Sequence, residues 1–437
     1  MDKIQMQVPI VEMQGDEMTR IIWNMVKDEL AEPFIDLKSV CFDLGQENMR
    51  TAGESVLNDA AEAVKRYGVG VKCATVNASR IRTSLASGLN AAGYFKTPVA
   101  AKGIRACITG WKEPVTLARE CQADRIREYA ISCLEYALLE KKDLWVGFRE
   151  PAYKDAFDEA YDSEFKESFN EAGVTYSFMP PAEGSARALK TEGGFIWAMK
   201  NADADIASGF ISGAFSMPAM MVGCLASAAG KYIFEAAHST GQRLYSAHMN
   251  GEETSANSVA TILSWTKALR MRGIMDRNDW LFRWAVRMED AVYRCIEAGF
   301  ITRDMAPYSL AENPHILNTF EFIRKVRSFY EGEPVAEKPA EPVQQQTAAP
   351  APKPVAAASK ADDPSVEELY EAFFDARSYK RKREILRQFG GKLTDKMITD
   401  FAVSLDVVVE DGSWDARYMS LMNCLNQMCR FETDGLR

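Results

Sequence analysis

The stretch 193–215, GGFIWAMKNADADIASGFISGAF, sets two carboxylates where a helix should begin: Asp203 and Asp205 follow a strand-like run and a turn. A hard divalent cation needs several oxygen ligands, and two carboxylates at i and i+4 on one helical face supply them compactly. One turn beyond Asp205 stands Gly209. The pattern is half of a cation site, and an acid left alone at a helix start has another use, against the positive end of the helix dipole. Histidine adds little, since the chain holds 3, namely His238, His248 and His315. The 9 cysteines are scattered with no C-x-x-C, so they read as reduced thiols of a cytoplasmic chain and not as a disulfide framework or zinc site.

The elements that must position these groups come from an ordinary globular composition: 437 residues, 47% hydrophobic and 26% charged. A formal net charge of -10 disfavours a surface that tracks nucleic-acid phosphates. The beginning, MDKIQMQVPIVEMQGDEMTR, has no apolar stretch long enough for a signal peptide, and no later stretch reads as a membrane span. IQMQVPIVEM and YGVGVKCATV read as buried strands. GDEMTRIIWNMVKDELAEPF has helical spacing and opens on the acids Asp16 and Glu17. NSVATILSWTKALRMRG and WLFRWAVRMEDAVYRCIEAG read as long helices, each closed by a glycine. Strands alternating with helices predict an α/β fold with a partly parallel sheet.

From 333 to 364 the chain is rich in Pro, Ala, Gln, Glu and Lys, with few large apolar residues, and reads as a semi-extended tether. Residues 365–437 carry apolar positions at helical spacing in VEELYEAFF, REILRQF, MITDFAVSL and YMSLMNCLNQMCRF, which predicts a small all-α module. Its basic run YKRKREILR reads as a solvated helix face or as a docking surface for an acidic protein partner.

The blocks VEMQGDEMTRIIW, VGVKCATV, GGFIWAMKNADAD, EAAHSTGQR, TSANSVATILSW and FITRDMAPY occur in this order. Together they resemble the NADP-dependent isocitrate dehydrogenases of the eukaryotic-type subfamily, over roughly Lys3 to Phe329. The resemblance implies isocitrate/isopropylmalate dehydrogenase-like large and small α/β domains within residues 1–332, the small one at roughly 105–235. It also implies β-decarboxylating oxidation of isocitrate to 2-oxoglutarate with NADP and magnesium or manganese. In the family a clasp segment locks two subunits together. Here the helix-like YAISCLEYALLEKKDLW follows almost directly where that segment is expected, so a homodimer would form without a clasp.

Residue by residue, the resemblance assigns cofactor contacts to Lys72, Ala74 and Thr75, with Asn77 in place of the family's threonine. Glu235 and His238 fall in its phosphate and ribose region, Arg243 faces the 2′-phosphate, and Asn257 matches an adenine-contacting asparagine. Leu244 stands where the family has a second phosphate-gripping histidine. The three substrate arginines correspond to Arg82, Lys96 and Arg119. Of three metal-binding aspartates, Asp205 is kept, Gly209 replaces its partner, and Ala182 or Glu183 takes the third place. Arg149 stands at the catalytic lysine, and arginine stays protonated, so it cannot act as a base. At the catalytic tyrosine the aligned residue is Ile126 or Arg127, with Tyr129 close by as a substitute. Two classes of function follow: an impaired or inactive descendant used as a ligand-binding or interaction scaffold, or an active oxidoreductase with a rebuilt site.

Overall fold

The computed structural model describes residues 3–215, 220–332, 366–376, 379–389, 393–405 and 421. The tether at 333–364, and the tail's run YMSLMNCLNQMCRF apart from Leu421, lie outside the described residues. The chain divides into two compact units, 1–337 and 338–437.

The first unit is mixed α/β, as the sequence predicts, and is built on one ten-stranded sheet. Its strands are β1 (Ile10–Gln14), β2 (Ser39–Asp43), β3 (Val69–Lys72), β4 (Ala91–Pro98) and β5 (Thr116–Glu120). They continue with β6 (Asp143–Val146), β7 (Tyr176–Phe178), β8 (Phe195–Met199), β9 (Met221–Ser227) and β10 (Lys231–Ala236). The spatial order is β2-β1-β3-β10-β9-β4-β5-β8-β6-β7. Strands β2, β1, β3 and β10 form one parallel block, and β5, β8, β6 and β7 form another. The antiparallel strands β9 and β4 join them. Strands such as FIWAM of β8 are buried at every position, as expected of a sheet covered on both faces.

Helices cover the sheet in two layers. On one face α1 (Glu17–Val26), α4 (Ile126–Glu140) and α7 (Val259–Met275) meet Phe95, Ala118 and Phe234. On the other, α2 (Ser55–Tyr67) and α3 (Ala78–Leu89) pack on Val11, Met13, Tyr94, Leu225 and Ile233. That same face carries a second apolar cluster farther along, where α6 (Asn201–Ala214) covers Leu117, Phe195 and Trp197. Between them lie α5 (Pro151–Ala160) in chain order and, later, α8 (Asp279–Glu297) and α9 (Thr319–Glu331). Helix α8 is amphipathic, with Leu281, Trp284, Ala285, Met288, Val292 and Ile296 buried at helical spacing.

Several boundaries differ from the expected ones for physical reasons. IQMQVPIVEM is two strands, Ile4–Gln5 and β1, divided before Pro9, which has no backbone donor for a ladder. Gly273 lies inside α7 and closes nothing; a side chain there would meet the Phe282 backbone nitrogen at 2.8 Å, so the glycine admits the start of α8. Gly299, by contrast, follows α8 at φ 82°, a conformation suited to glycine. In the second unit, α10 (Val366–Asp375), α11 (Tyr379–Phe389) and α12 (Asp395–Ser404) share a core of Leu369, Phe373, Ile385, Phe389, Ile398 and Phe401.

Candidate functional site

A polar cluster lies on the sheet between the covers of α3 and α6. Directly paired strand residues share a face, as do residues two apart on one strand. Lys72 pairs with Glu235, Glu235 with Gly223, Gly223 with Lys96, and Tyr94 with Arg119. All these positions therefore point the same way across β3, β10, β9, β4 and β5. Gly223 is required there: a Cβ would collide with the Tyr94 hydroxyl and sit 2.9 Å from Glu235 Cγ.

Glu235 is the hub. It is 4% exposed and accepts hydrogen bonds from Lys72 Nζ at 2.8 Å, Arg82 Nε at 3.0 Å and the Tyr94 hydroxyl at 2.6 Å. Burial alone would raise its pKa, but the adjacent Lys72 and Arg82 charges hold it well below the usual carboxylate range. Burial, and then the Glu235 charge, push the Tyr94 hydroxyl far up, so it stays a donor. Arg82 lies 4.4 Å and Arg119 5.3 Å from the centre of the Tyr94 ring. Lys96 Nζ donates to Ser208 Oγ of α6 at 3.2 Å. Burial and the nearby Arg82 and Arg119 lower the Lys96 pKa. Arg119 is ion-paired with Asp205. Four cations thus surround two carboxylates, a balance that favours an added organic anion.

The structure gathers Arg82 and Arg119 at one ring, that of Tyr94, sets Lys96 two residues along the same strand, and draws Lys72 and Glu235 into the same network. It moves other residues away from their expected places. Asp205 does not act as a helix-start acid: α6 begins at Asn201, so Asp203 lies in the first turn and the Asp205 carboxylate reaches sideways to Arg119. Around Gly209 the space is open, and a Cβ at that position would meet nothing within 4 Å. Tyr129 does not substitute at the site. It is fully buried, its hydroxyl donates to the Met199 carbonyl at 3.0 Å, and the Phe148 and Phe157 rings meet it edge-on. Helix α4 turns it into the core, which nearness in sequence does not reveal. Arg149 sits exposed on the turn before α5, beside the Glu150–Lys200 ion pair at 2.8 Å.

Two tyrosines stand beside these groups without a motif to mark them. Tyr94 is one, and its alternation with Lys96 on a strand is the signal that could find it. Tyr153 is the other: its hydroxyl bonds Glu120, which also accepts from the Asn201 backbone at 3.3 Å, and Lys200 lies 5.1 Å from its ring. Its spacing with Phe157 and Ala160 marks it only as the inner stripe of α5.

Two loops leave the same edge of the neighbouring parallel strands β3 and β10, the geometry that α/β proteins use for ligands. In the first, the Ala74 carbonyl accepts from the Asp16 backbone at 3.0 Å, and Thr75 Oγ1 is buried without a partner. Asn77 stands at the N-cap position of α3 without a capping hydrogen bond from its side chain and, with Asp16, Gln46, Arg50 and Arg80, lines a cavity of about 300 Å³. In the second, His238 Nδ1 meets the Ser239 carbonyl at 2.8 Å, while Nε2 is buried and unpartnered. Burial lowers the His238 pKa, so the neutral ring offers Nε2 as an acceptor. Arg243 and Leu244 are exposed in the first turn of the helix Gln242–Met249. Asn257 donates to Asp304 at 2.9 Å and accepts from the Val259 backbone at 3.0 Å.

Comparison with known proteins agrees with this architecture. The pattern of the isocitrate/isopropylmalate dehydrogenase family matches residues 139–326. Isocitrate dehydrogenase [NADP] of Nicotiana tabacum is 31% identical over 400 residues, covering 74% of this chain and 96% of the tobacco protein. The chloroplastic/mitochondrial enzyme of Arabidopsis thaliana is 31% identical over 403 residues, covering 75% and 82%. The mitochondrial enzyme of Mus musculus is 29% identical over 401 residues, covering 75% and 89%. The chain belongs to the isocitrate dehydrogenase family.

Proposed function

We propose that this isocitrate dehydrogenase-like protein binds a nucleotide and a carboxylate anion but oxidises isocitrate far more slowly than an ordinary enzyme, and serves as a ligand-binding or interaction scaffold. The observation that carries this reading is the pairing of Asp205 with Arg119, with Gly209 one helical turn on. A carboxylate already neutralised by arginine, with glycine in place of its partner, is a poor donor set for magnesium or manganese, which give up water reluctantly. The residues do not fit the metal. Arg149 supports the same conclusion, because a permanently protonated group cannot take the substrate's hydroxyl proton.

The nucleotide fits better. The orphaned Thr75 Oγ1 and His238 Nε2 are buried polar atoms that ask for a partner. Lys72, Ala74, Thr75, Asn77, Glu235, His238, Arg243 and Asn257 are the residues proposed to shape or hold the NADP site, with Lys72 and Glu235 forming its floor. NADP, when bound, supplies a hydride acceptor. Strand β5 connects to α4 through residues 121–125 alone, which supports loss of the clasp. The tobacco match likewise spans 400 positions, more than 74% of 437 residues can supply, so that relative carries stretches without a counterpart here. Dimerisation then falls to the body's own surfaces, and a protein partner to the helical unit. A cytoplasmic location belongs to this proposal too; among the described residues no helix is long and apolar enough to cross a membrane.

A weakened enzyme is the second reading. The Tyr153–Glu120 and Lys200–Glu150 pairs favour it, because they set a hydroxyl and an ammonium beside the start of α6. Purified protein with NADP, isocitrate and manganese decides between them. NADPH formation near background is expected. A turnover number within tenfold of the enzyme median of about 10 per second would overturn the scaffold reading.

A further inference from the structure

We propose that Lys96 forms an imine with a 2-oxo dicarboxylate held in the basic cluster, an inference that rests on the anion-binding part of the reading above. Lys96 stands on β4, between Gly223 of β9 and the strand of Arg119, partly exposed, with Ser208 Oγ 3.2 Å from its Nζ. Arg82 and Arg119 lie on the same sheet face, against one Tyr94 ring, and offer two guanidinium forks for two carboxylates. Asp205, which neutralises Arg119, has a side chain 62% exposed, so an incoming carboxylate can displace it into solvent.

The chemistry suits this amine. Burial and the Arg82 and Arg119 charges disfavour its protonated form, which enlarges the nucleophilic fraction. Lys72 is no competitor: it is 1% exposed and held by Glu235. In the reaction the Nζ lone pair attacks the carbonyl carbon and the C=O π electrons move to oxygen. A proton passes from nitrogen to that oxygen, with Ser208 Oγ placed to relay it. The carbinolamine then loses water as the C–O bond breaks and the C=N bond forms. Nothing is oxidised or reduced.

Lys142 supplies an internal comparison, since burial lowers its pKa as well, but its Nζ donates to the Pro114 carbonyl at 3.3 Å, away from the Tyr94 cluster. The full-length protein is incubated with 2-oxoglutarate and sodium cyanoborohydride at neutral pH and then mapped by mass spectrometry, with binding measured in parallel by calorimetry. The expected result is one adduct on Lys96, equal to the keto acid less one oxygen atom. It makes Lys96 the most heavily labelled lysine of the protein, well ahead of Lys142, whose amine is also disfavoured as a cation but lies on the Pro114 carbonyl. Lys96→Arg abolishes the adduct, whereas Lys142→Arg leaves both the adduct and the calorimetric binding as they are in the wild type. Calorimetric binding with no Lys96 adduct, or with equal labelling at Lys142, overturns the imine and leaves the anion site standing. Absence of binding overturns both.

Discussion

Glu235→Gln removes a negative charge from a point on which three donors converge. The amide keeps one acceptor oxygen but turns its NH2 toward the Lys72 ammonium or the Arg82 guanidinium, so donor faces donor. Lys72, 1% exposed, is left as a buried charge without its counter-ion. Breaking a buried pair in this way costs about 3–5 kcal/mol, a large part of the roughly 5–15 kcal/mol that holds a native protein folded. The urea midpoint followed by tryptophan fluorescence should fall by that loss divided by the wild-type urea slope, which is steep for a unit of this size. The sign of the pH dependence follows from the depressed Glu235 pKa. Its contribution is complete above the unfolded value of about 4.3 and is lost as pH falls through the lower folded value. The gap between wild type and variant is therefore full at neutral pH and closes in strong acid. Lys72→Met combined with Glu235→Gln should be more stable than Glu235→Gln alone, because the stranded charge is gone. A Glu235→Gln unfolding free energy within about 1 kcal/mol of wild type would refute the hub.

Gly223→Ala should destabilise by about 1–3 kcal/mol, since its Cβ collides with the Tyr94 hydroxyl; an unchanged calorimetric melting temperature would refute that packing. Gly209→Asp combined with Ala182→Asp should fold normally at position 209, where space is open, and show weak manganese binding by electron paramagnetic resonance without catalysis. Substantial NADPH production by that double variant would show that the catalytic groups are intact. The segment 365–437 expressed alone should give a helical circular dichroism spectrum and a cooperative melt, on the strength of the core that Phe373 and Phe401 stack into at 4.0 Å. A disordered spectrum would rule out an independent module.

Local pattern makes the scaffold legible. The apolar stripe of α8, the buried run of β8 and the strand–turn–helix at 195–214 each announce themselves within a few residues. The chemical type of single residues is legible as well: Arg82, Lys96 and Arg119 stand outside the six blocks but read as bases able to hold carboxylates. Their wiring is not. Glu235 meets its donors across 163, 153 and 141 residues, and no local periodicity encodes such pairings. Tyr129 and Asp205 depart from their expected roles for the same reason. Which way each side chain points depends on helix phase and on a strand elsewhere in the chain.

The long sequence separations within the cluster also govern when the protein becomes competent to bind. Lys72, Lys96, Arg119 and Glu235 come together only after β10 has been synthesised and inserted beside β3, one of the last pairings the sheet completes. Nascent or partly unfolded chains therefore lack the proposed anion site, and an anion that fits it would bind the finished sheet alone. By mass action such a ligand at a hundred times its Kd adds about 2.7 kcal/mol to the folded state. Metabolite supply would then set how much of this chain survives proteolytic surveillance, whatever its rate of turnover.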